Sequence, residues 1–362
     1  MKPINNDIKK AITLDKSFYQ SAAYFEAAKE KIFARSWQWL CHQRILHLDL
    51  YDYAPIDLLN TYLDEPLLIT KNKEGVLQCL SNVCTHRGFI LADQPGSGKL
   101  IQCKYHGRCF RLDGFFKSMP GFEEAENFPS ASDNLHQVPM VNWKDFLFVS
   151  LNPAYEWSSV DNALNTKLGF LKAEEFRFAE EYNKEYLVKA NWALYVENFL
   201  EGFHVPFVHD QSFKNMFDYN AYTTELFDYC NVQIGYANES EYCFDFPEGH
   251  VDYGKKVAAY YFWLFPNMML NVYPYGIQIN IVKPITVNRC KVQFLFYLKD
   301  EEIFREMNAD ALAAKVERED EWVVEGVQRG LASRFYRNGR LSPKHETGVH
   351  HFHRLVYRFL NE

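Results

Sequence analysis

Cys84-Thr85-His86 is followed, sixteen residues later, by Cys103-Lys104-Tyr105-His106. Each half places one thiol and one imidazole on a single short loop, and Gly107, directly after the second half, suits a loop that closes tightly around a bound group. The surroundings are strand-like. Leu67-Leu-Ile-Thr70, Val76-Leu-Gln-Cys-Leu80, Leu100-Ile-Gln-Cys103, Cys109-Phe-Arg-Leu112 and Phe146-Leu-Phe-Val-Ser150 are short apolar runs separated by Gly, Asn, Asp and Pro. Residues 39–160 therefore read as an all-β domain with both loops inside it.

Two thiolates and two neutral imidazoles are the donor set of a Rieske [2Fe–2S] cluster, with Cys on one iron and His on the other. Zinc also takes Cys₂His₂ sets, but zinc fingers pair Cys with Cys and His with His, and the alternation here fits that poorly. Cys84, His86, Cys103 and His106 are the cluster ligands on this reading. The remaining cysteines (Cys41, Cys79, Cys109, Cys230, Cys243 and Cys290) are scattered and read as buried thiols.

A second constellation lies about a hundred residues on: Glu201-Gly-Phe-His204-Val-Pro-Phe-Val-His209. Two His with a carboxylate form the facial triad of non-haem Fe(II) oxygenases. Glu201 and His204 share a helical face. An ideal helix would set His204 and His209 about 140° apart, but Pro206 disfavours an unbroken helix and a bend there brings His209 round. Spacing alone leaves the carboxylate open among Glu197, Glu201 and the acids of a long C-terminal helix, Glu317, Glu319, Asp320, Glu321 and Glu325, whose ordinary role is a solvated face.

Further helices are expected over residues 8–37, 192–203 and 309–334, with strands at 258–265, 277–282 and 291–298. With 362 residues, the chain is long enough for two domains. We divide it into an N-terminal helical segment (1–38) packed on the catalytic domain, the β domain (39–160) and an α+β domain (161–362) with a helix on an antiparallel sheet. A net charge of −8 argues against nucleic acid as a partner. No apolar run reaches a membrane-spanning length, and the polar N-terminus gives no secretory signal. Cysteine usage points to the reducing cytoplasm. Aromatic residues make up 17% of the chain, enough to line an apolar pocket, and Tyr260, Tyr261, Trp263, Tyr273 and Tyr275 could hold a quaternary ammonium group by cation–π attraction.

Together the motifs resemble the α subunits of Rieske non-haem iron oxygenases, over nearly the whole chain. Within that family the chain is most similar to the choline monooxygenase-like branch, through Asn82-Val-Cys-Thr-His-Arg87, Asn198-Phe-Leu-Glu-Gly202, His204-Val-Pro206, Gln328-Arg-Gly-Leu331 and the tail Gly348-Val-His-His-Phe-His353. The resemblance implies a Rieske domain joined to a helix-grip, START-like catalytic domain, a mononuclear Fe(II), and electrons from NAD(P)H through a reductase or ferredoxin. It also implies a homotrimer acting on a small molecule and O₂. It assigns the third iron ligand to Asp320, beside His204 and His209, and an iron-neighbouring role to Asn198. The family's bridging Asp, just ahead of the first His, is here Glu201. Ring hydroxylation of an aromatic compound is the alternative activity, and an electron carrier with an inactive second site is the alternative of another class. The His-rich tail is expected to serve packing.

Overall fold

The computed structural model describes residues 1–72, 74–209, 222–237 and 242–362. It contains two compact units, Ala34–Ala154 and Met1–Phe33 with Tyr155–Glu362. The first boundary falls ahead of the one expected at residue 38, because Ala34 and Arg35 accept hydrogen bonds from Asn152 and Ala154 and so belong to the β unit.

The β unit carries strands β1 (Gln38–His42), β2 (Tyr53–Leu58), β3 (Glu65–Lys71), β4 (Leu77–Ser81), β5 (Leu100–Gln102), β6 (Cys109–Arg111), β7 (Phe116–Ser118), β8 (Gln137–Val138), β9 (Met140–Trp143) and β10 (Phe146–Val149). They form sheets of order β1-β10-β9, β2-β3-β4-β8 and β5-β6-β7. The core joins Leu68, Leu80, Ile101, Phe110 and Leu135 to the thiols Cys84 and Cys103. The cluster loops are thus rooted in packed hydrocarbon. Between β6 and β7 the turn at Gly114 has φ +83°, and a Cβ there would meet Leu80 at 2.9 Å, so glycine is required twice over.

In the other unit the helix expected over residues 8–37 is broken. A 3₁₀ turn at Lys16–Tyr19, capped by Asp15, is followed by α1 (Ala22–Ala28) and a π turn at Lys29–Phe33. Ile32 and Phe33, both in this turn, are buried in the core. The helices α2 (Ser158–Leu168), α3 (Trp192–Phe199), α4 (Val205–Val208), α5 (Glu301–Glu306), α6 (Ala309–Leu331) and α7 (Thr347–Asn361) accompany strands β11 (Arg177–Phe178), β12 (Lys184–Val188), β13 (Thr223–Leu226), β14 (Cys230–Tyr236), β15 (Val257–Leu264), β16 (Met268–Tyr273), β17 (Gly276–Thr286) and β18 (Arg289–Leu298). The strands make an antiparallel sheet of order β13-β14-β15-β16-β17-β18-β11, with β12 also on β18. Helix α6 and the sheet enclose a cavity of about 380 Å³. This is the helix-on-sheet α+β domain expected.

The His-rich tail forms α7. His350 bonds the Asn5 carbonyl at 2.7 Å, His351 the Asp228 carbonyl at 3.3 Å, and the fully buried His353 the Glu197 carboxylate at 3.0 Å. Its three His therefore tie α7 to its surroundings, as expected of a packing role.

Candidate active site and metal centres

The two loops of the β unit have the same construction. Gly88 N–H donates to the Cys84 carbonyl at 2.9 Å and Gly107 N–H to the Cys103 carbonyl at 3.0 Å. Both glycines are left-handed, at φ +71° and +75°. A side chain at either position is strained by roughly 1–2 kcal/mol. Gly107→Val is expected to fold with reduced cluster content, read as visible absorbance and acid-labile sulfide per chain.

Cys84 and Cys103 are buried, His86 is half-buried and His106 is exposed. The imidazole rings stand 4.9 Å apart at 72°. Thiols inside and imidazoles at the rim are what a Rieske cluster needs if it is to hand electrons out through its His ligands. Desolvation first, then the neighbouring His106, Arg87 and Arg108, hold His86 below the usual imidazole range, in the neutral form that binds iron. Tyr105 lies against His106 with ring centroids 3.7 Å apart, and Phe122 packs on His86 at 5.4 Å.

In the α+β unit, α3 starts on an Asn191 cap, whose side chain accepts from Ala193 N–H. It ends at Phe199, four residues short of the expected end. The short α4 then accepts Pro206 in its first turn, where a missing N–H costs no hydrogen bond. This break places His204 at the start of α4 and His209 at its end, with ring centroids 5.1 Å apart. Helix α6 supplies Asp320 from the other side.

The donor atoms of His204, His209 and Asp320 lie within 4.8 Å of one another. Asp320 Oδ1 is 3.4 Å from His204 Nε2 and 3.1 Å from His209 Nε2. Both Nδ1 atoms face away and donate to carboxylates, His204 to Glu201 at 2.7 Å and His209 to Glu319 at 2.6 Å. Those partners fix ring orientation and make each Nε2 a better ligand. Asn198 Nδ2 donates to Asp320 Oδ1 at 2.7 Å and pins the third donor. The set therefore suits a divalent iron.

The electrostatics agree. Burial opposes a charge on His204, but its bonds to Asp320 and Glu201 outweigh that and push it up to about 10. His209 is raised in the same way. Asp320 is held below the usual carboxylate range, since both His partners outweigh its burial. A cation that binds there displaces protons from these groups, so its binding is favoured as pH rises.

Each residue expected at the second site is thus brought together: Asn198, Glu201, His204, His209 and Asp320. Sequence reasoning offered Glu319 and Glu317 only as alternative iron ligands and missed their supporting roles. Glu319 holds His209, and Glu317, buried on the α6 face toward the cavity, accepts a short hydrogen bond from Tyr195. The rows of acids on α6 gave no means of separating these from solvated neighbours. Of the proposed aromatics, Tyr261, Tyr273 and Tyr275 line the cavity, joined by Tyr195 and Tyr222. Tyr260 instead packs on Phe244 and bonds Asp252, and Trp263 packs on Phe352 of α7.

Comparison with known proteins agrees with this geometry. Residues 36–129 match the Rieske [2Fe-2S] domain family, and residues 175–362 match the ring hydroxylating alpha subunit (catalytic domain) family. The carnitine monooxygenase oxygenase subunit of Escherichia coli (strain K12) is 30% identical over 96% of this chain and 94% of its own length. The chain belongs to the Rieske non-haem iron oxygenase α subunits. As such it is an oxidoreductase that carries a Rieske [2Fe–2S] cluster and a mononuclear iron. Another relative of this oxygenase is the chloroplastic choline monooxygenase of Beta vulgaris, 26% identical over 97% of this chain and 77% of that one. The crystal structure of the quaternary ammonium Rieske monooxygenase CntA with L-carnitine superposes with a TM-score of 0.75 at 25% identity, covering 99% of both chains. Naphthalene 1,2-dioxygenase from Rhodococcus shares the fold, at 14% identity and a TM-score of 0.70.

Proposed function

We propose that this chain is the oxygenase subunit of a monooxygenase that hydroxylates or oxidatively demethylates a small quaternary ammonium compound. The observation that carries this reading is a cavity with a 2-His-1-carboxylate set at one side and five tyrosines in its walls. Aromatic faces hold a trimethylammonium group by cation–π attraction, worth about 2 kcal/mol or more once desolvated.

On this reading Cys84, His86, Cys103 and His106 hold the cluster, and His204, His209 and Asp320 hold Fe(II). The iron supplies oxygen activation and one-electron chemistry when bound. The chain's residues do the rest. Tyr261, Tyr273 and Tyr275 orient the ammonium end, apolar side chains such as Phe294, Phe296 and Leu298 keep water out, and Asn198 fixes Asp320. An N-methyl carbon hydroxylated there collapses to formaldehyde and a demethylated amine; a hydroxymethyl carbon gives an aldehyde hydrate.

Glu201 is bonded to His204 Nδ1 through one oxygen and to the His204 backbone N–H at 3.1 Å through the other; on this reading it bridges toward a neighbouring subunit's Rieske domain. Electrons reach the enzyme from NAD(P)H through a reductase or ferredoxin. The assembly is a homotrimer closed head to tail, in the cytoplasm, where the six cysteines outside the cluster stay reduced. No helix among the described residues is long and apolar enough to cross a membrane. Glu201→Gln is expected to keep both iron centres while coupled turnover falls at least tenfold; full coupled turnover would remove the bridging role.

The reading is tested by oxygen uptake with a reductase and NADH. Choline, carnitine, γ-butyrobetaine and an aromatic hydrocarbon are offered separately. Uptake stimulated by an ammonium compound is expected, and stimulation by the hydrocarbon alone would move the enzyme to ring hydroxylation.

A further inference from the structure

The cavity wall contains a row of side chains fixed by strand register. Gln233 on β14 stands opposite Tyr261 on β15, which stands opposite Asn271 on β16, then Gln278 on β17 and Phe296 on β18. All five line the cavity. Three amides in so apolar a sheet are costly unless something satisfies them. Gln233 Nε2 is used, donating to the Phe199 carbonyl at 2.6 Å, and Gln278 Nε2 donates to Asn280 Oδ1 at 2.8 Å. Gln233 Oε1 and Asn271 Oδ1 are buried and have no partner.

The opposite wall repeats the pattern. Glu317 is 1% exposed, one turn of α6 before Asp320. One carboxyl oxygen accepts from Tyr195, and the other, Oε1, is buried without a partner. Each of these atoms is an oxygen, and no Lys or Arg lines the cavity among the described residues. Such groups are rare in a native interior, and here three of them face one cavity, where a ligand or water can complete them.

We propose that Glu317, with the unpartnered oxygens of Gln233 and Asn271, is the specificity-determining group of this cavity and selects an ammonium substrate that is a net cation with a hydroxyl donor and no carboxylate. The inference rests on the quaternary-ammonium reading and sharpens it. Burial holds the Glu317 carboxyl well above the usual carboxylate range; a positive ligand beside it draws it back toward the ionised form, and a ligand hydroxyl supplies the donor that the amide oxygens lack. A zwitterion such as carnitine would bring its carboxylate toward Glu317 in a cavity whose described lining has no Lys or Arg to receive it, which is discrimination by repulsion.

The test uses the iron-loaded holoenzyme. Dissociation constants for choline, L-carnitine and γ-butyrobetaine are measured by calorimetry, with KM and kcat from coupled oxygen uptake. The wild type is expected to bind choline at least tenfold more tightly than either zwitterion. Glu317→Gln keeps the shape and the Tyr195 contact but removes the charge. It is expected to raise the KM for choline at least tenfold, to lower kcat by a smaller factor, and to retain mononuclear iron. Asn271→Leu provides an independent variant, with a smaller loss for choline and none for tetramethylammonium, which has no hydroxyl. Equal or tighter binding of a zwitterion by the wild type, or an unchanged KM in Glu317→Gln, would overturn the inference and leave the quaternary-ammonium reading standing. Turnover of an aromatic hydrocarbon with no ammonium compound bound would overturn both.

Discussion

Asp320→Ala protein is expected to lose its mononuclear iron and keep its Rieske cluster, so that iron falls from three atoms per chain to two while labile sulfide stays at two. Asp320 Oδ1 is the point at which His204 Nε2, His209 Nε2 and the Asn198 amide converge. Removing it leaves two imidazoles and no anionic donor, and it frees Asn198 from its anchor. Substrate oxidation should drop at least a thousandfold, on the order of 4 kcal/mol in barrier, while reduction of the cluster by an external donor proceeds at its normal rate. Iron analysis, sulfide analysis and single-wavelength reduction kinetics read the three quantities separately. Full iron occupancy with activity retained would mean that another acid, such as the adjacent Glu319, is the ligand.

Asp252→Ala should produce the largest loss of stability. Asp252 is fully buried and bonds three groups at once: Lys167 at 2.9 Å, Lys255 at 2.7 Å and the Tyr260 hydroxyl at 2.6 Å. Lys167 is itself 2% exposed, and its other partner, Glu225, is 42% exposed. Truncating Asp252 leaves the buried Lys167 ammonium with only the partly exposed Glu225 and strands the buried Tyr260 hydroxyl, which costs about 3–5 kcal/mol, or on the order of 10 °C in Tm for a unit of this size. The pH dependence has a definite sign. Burial would raise the Asp252 carboxyl, but its bonds to Lys255, Tyr260 and Lys167 outweigh that and pull it down to about 2, from an ordinary 3.8. Its stabilisation is therefore fully present above the unfolded value and is lost as pH falls toward 2. The gap in unfolding free energy between wild type and Asp252→Ala should shrink over that range, as denaturant titrations at stepped pH would show.

The sequence made some of this legible because the chemistry is local. Cys84 with His86, Cys103 with His106, and His204 with His209 each sit within a few residues, so spacing alone states the ligand type. The strands of the β unit were readable from short apolar runs between turn residues. The third iron ligand was not readable from spacing, because Asp320 meets His204 only through the packing of α6 on α3 and α4. The resemblance to a family pointed to it, and the geometry brings it to the same place. Glu317 and Glu319 look like any acids on an exposed helix until that packing is known. The tyrosines divide for a related reason. Tyr260 and Tyr261 are neighbours in sequence but lie on opposite faces of β15, and Trp263 shares the face of Tyr261 yet lies further along, against α7. The N-terminal helix expected as one piece is divided into a 3₁₀ turn, α1 and a π turn, a division that the apolar spacing does not mark.

The most direct test of the account is a single turnover under ¹⁸O₂. Purified, iron-loaded enzyme is reduced, freed of reductant and given labelled oxygen with choline, carnitine and γ-butyrobetaine, and the products are read by mass. The account predicts one ¹⁸O atom in an aldehyde, an alcohol, or formaldehyde released with a demethylated amine, formed from an ammonium compound. Oxidation of the cluster with no labelled product from any ammonium compound, or label found only in the diol of an added aromatic hydrocarbon, would contradict it.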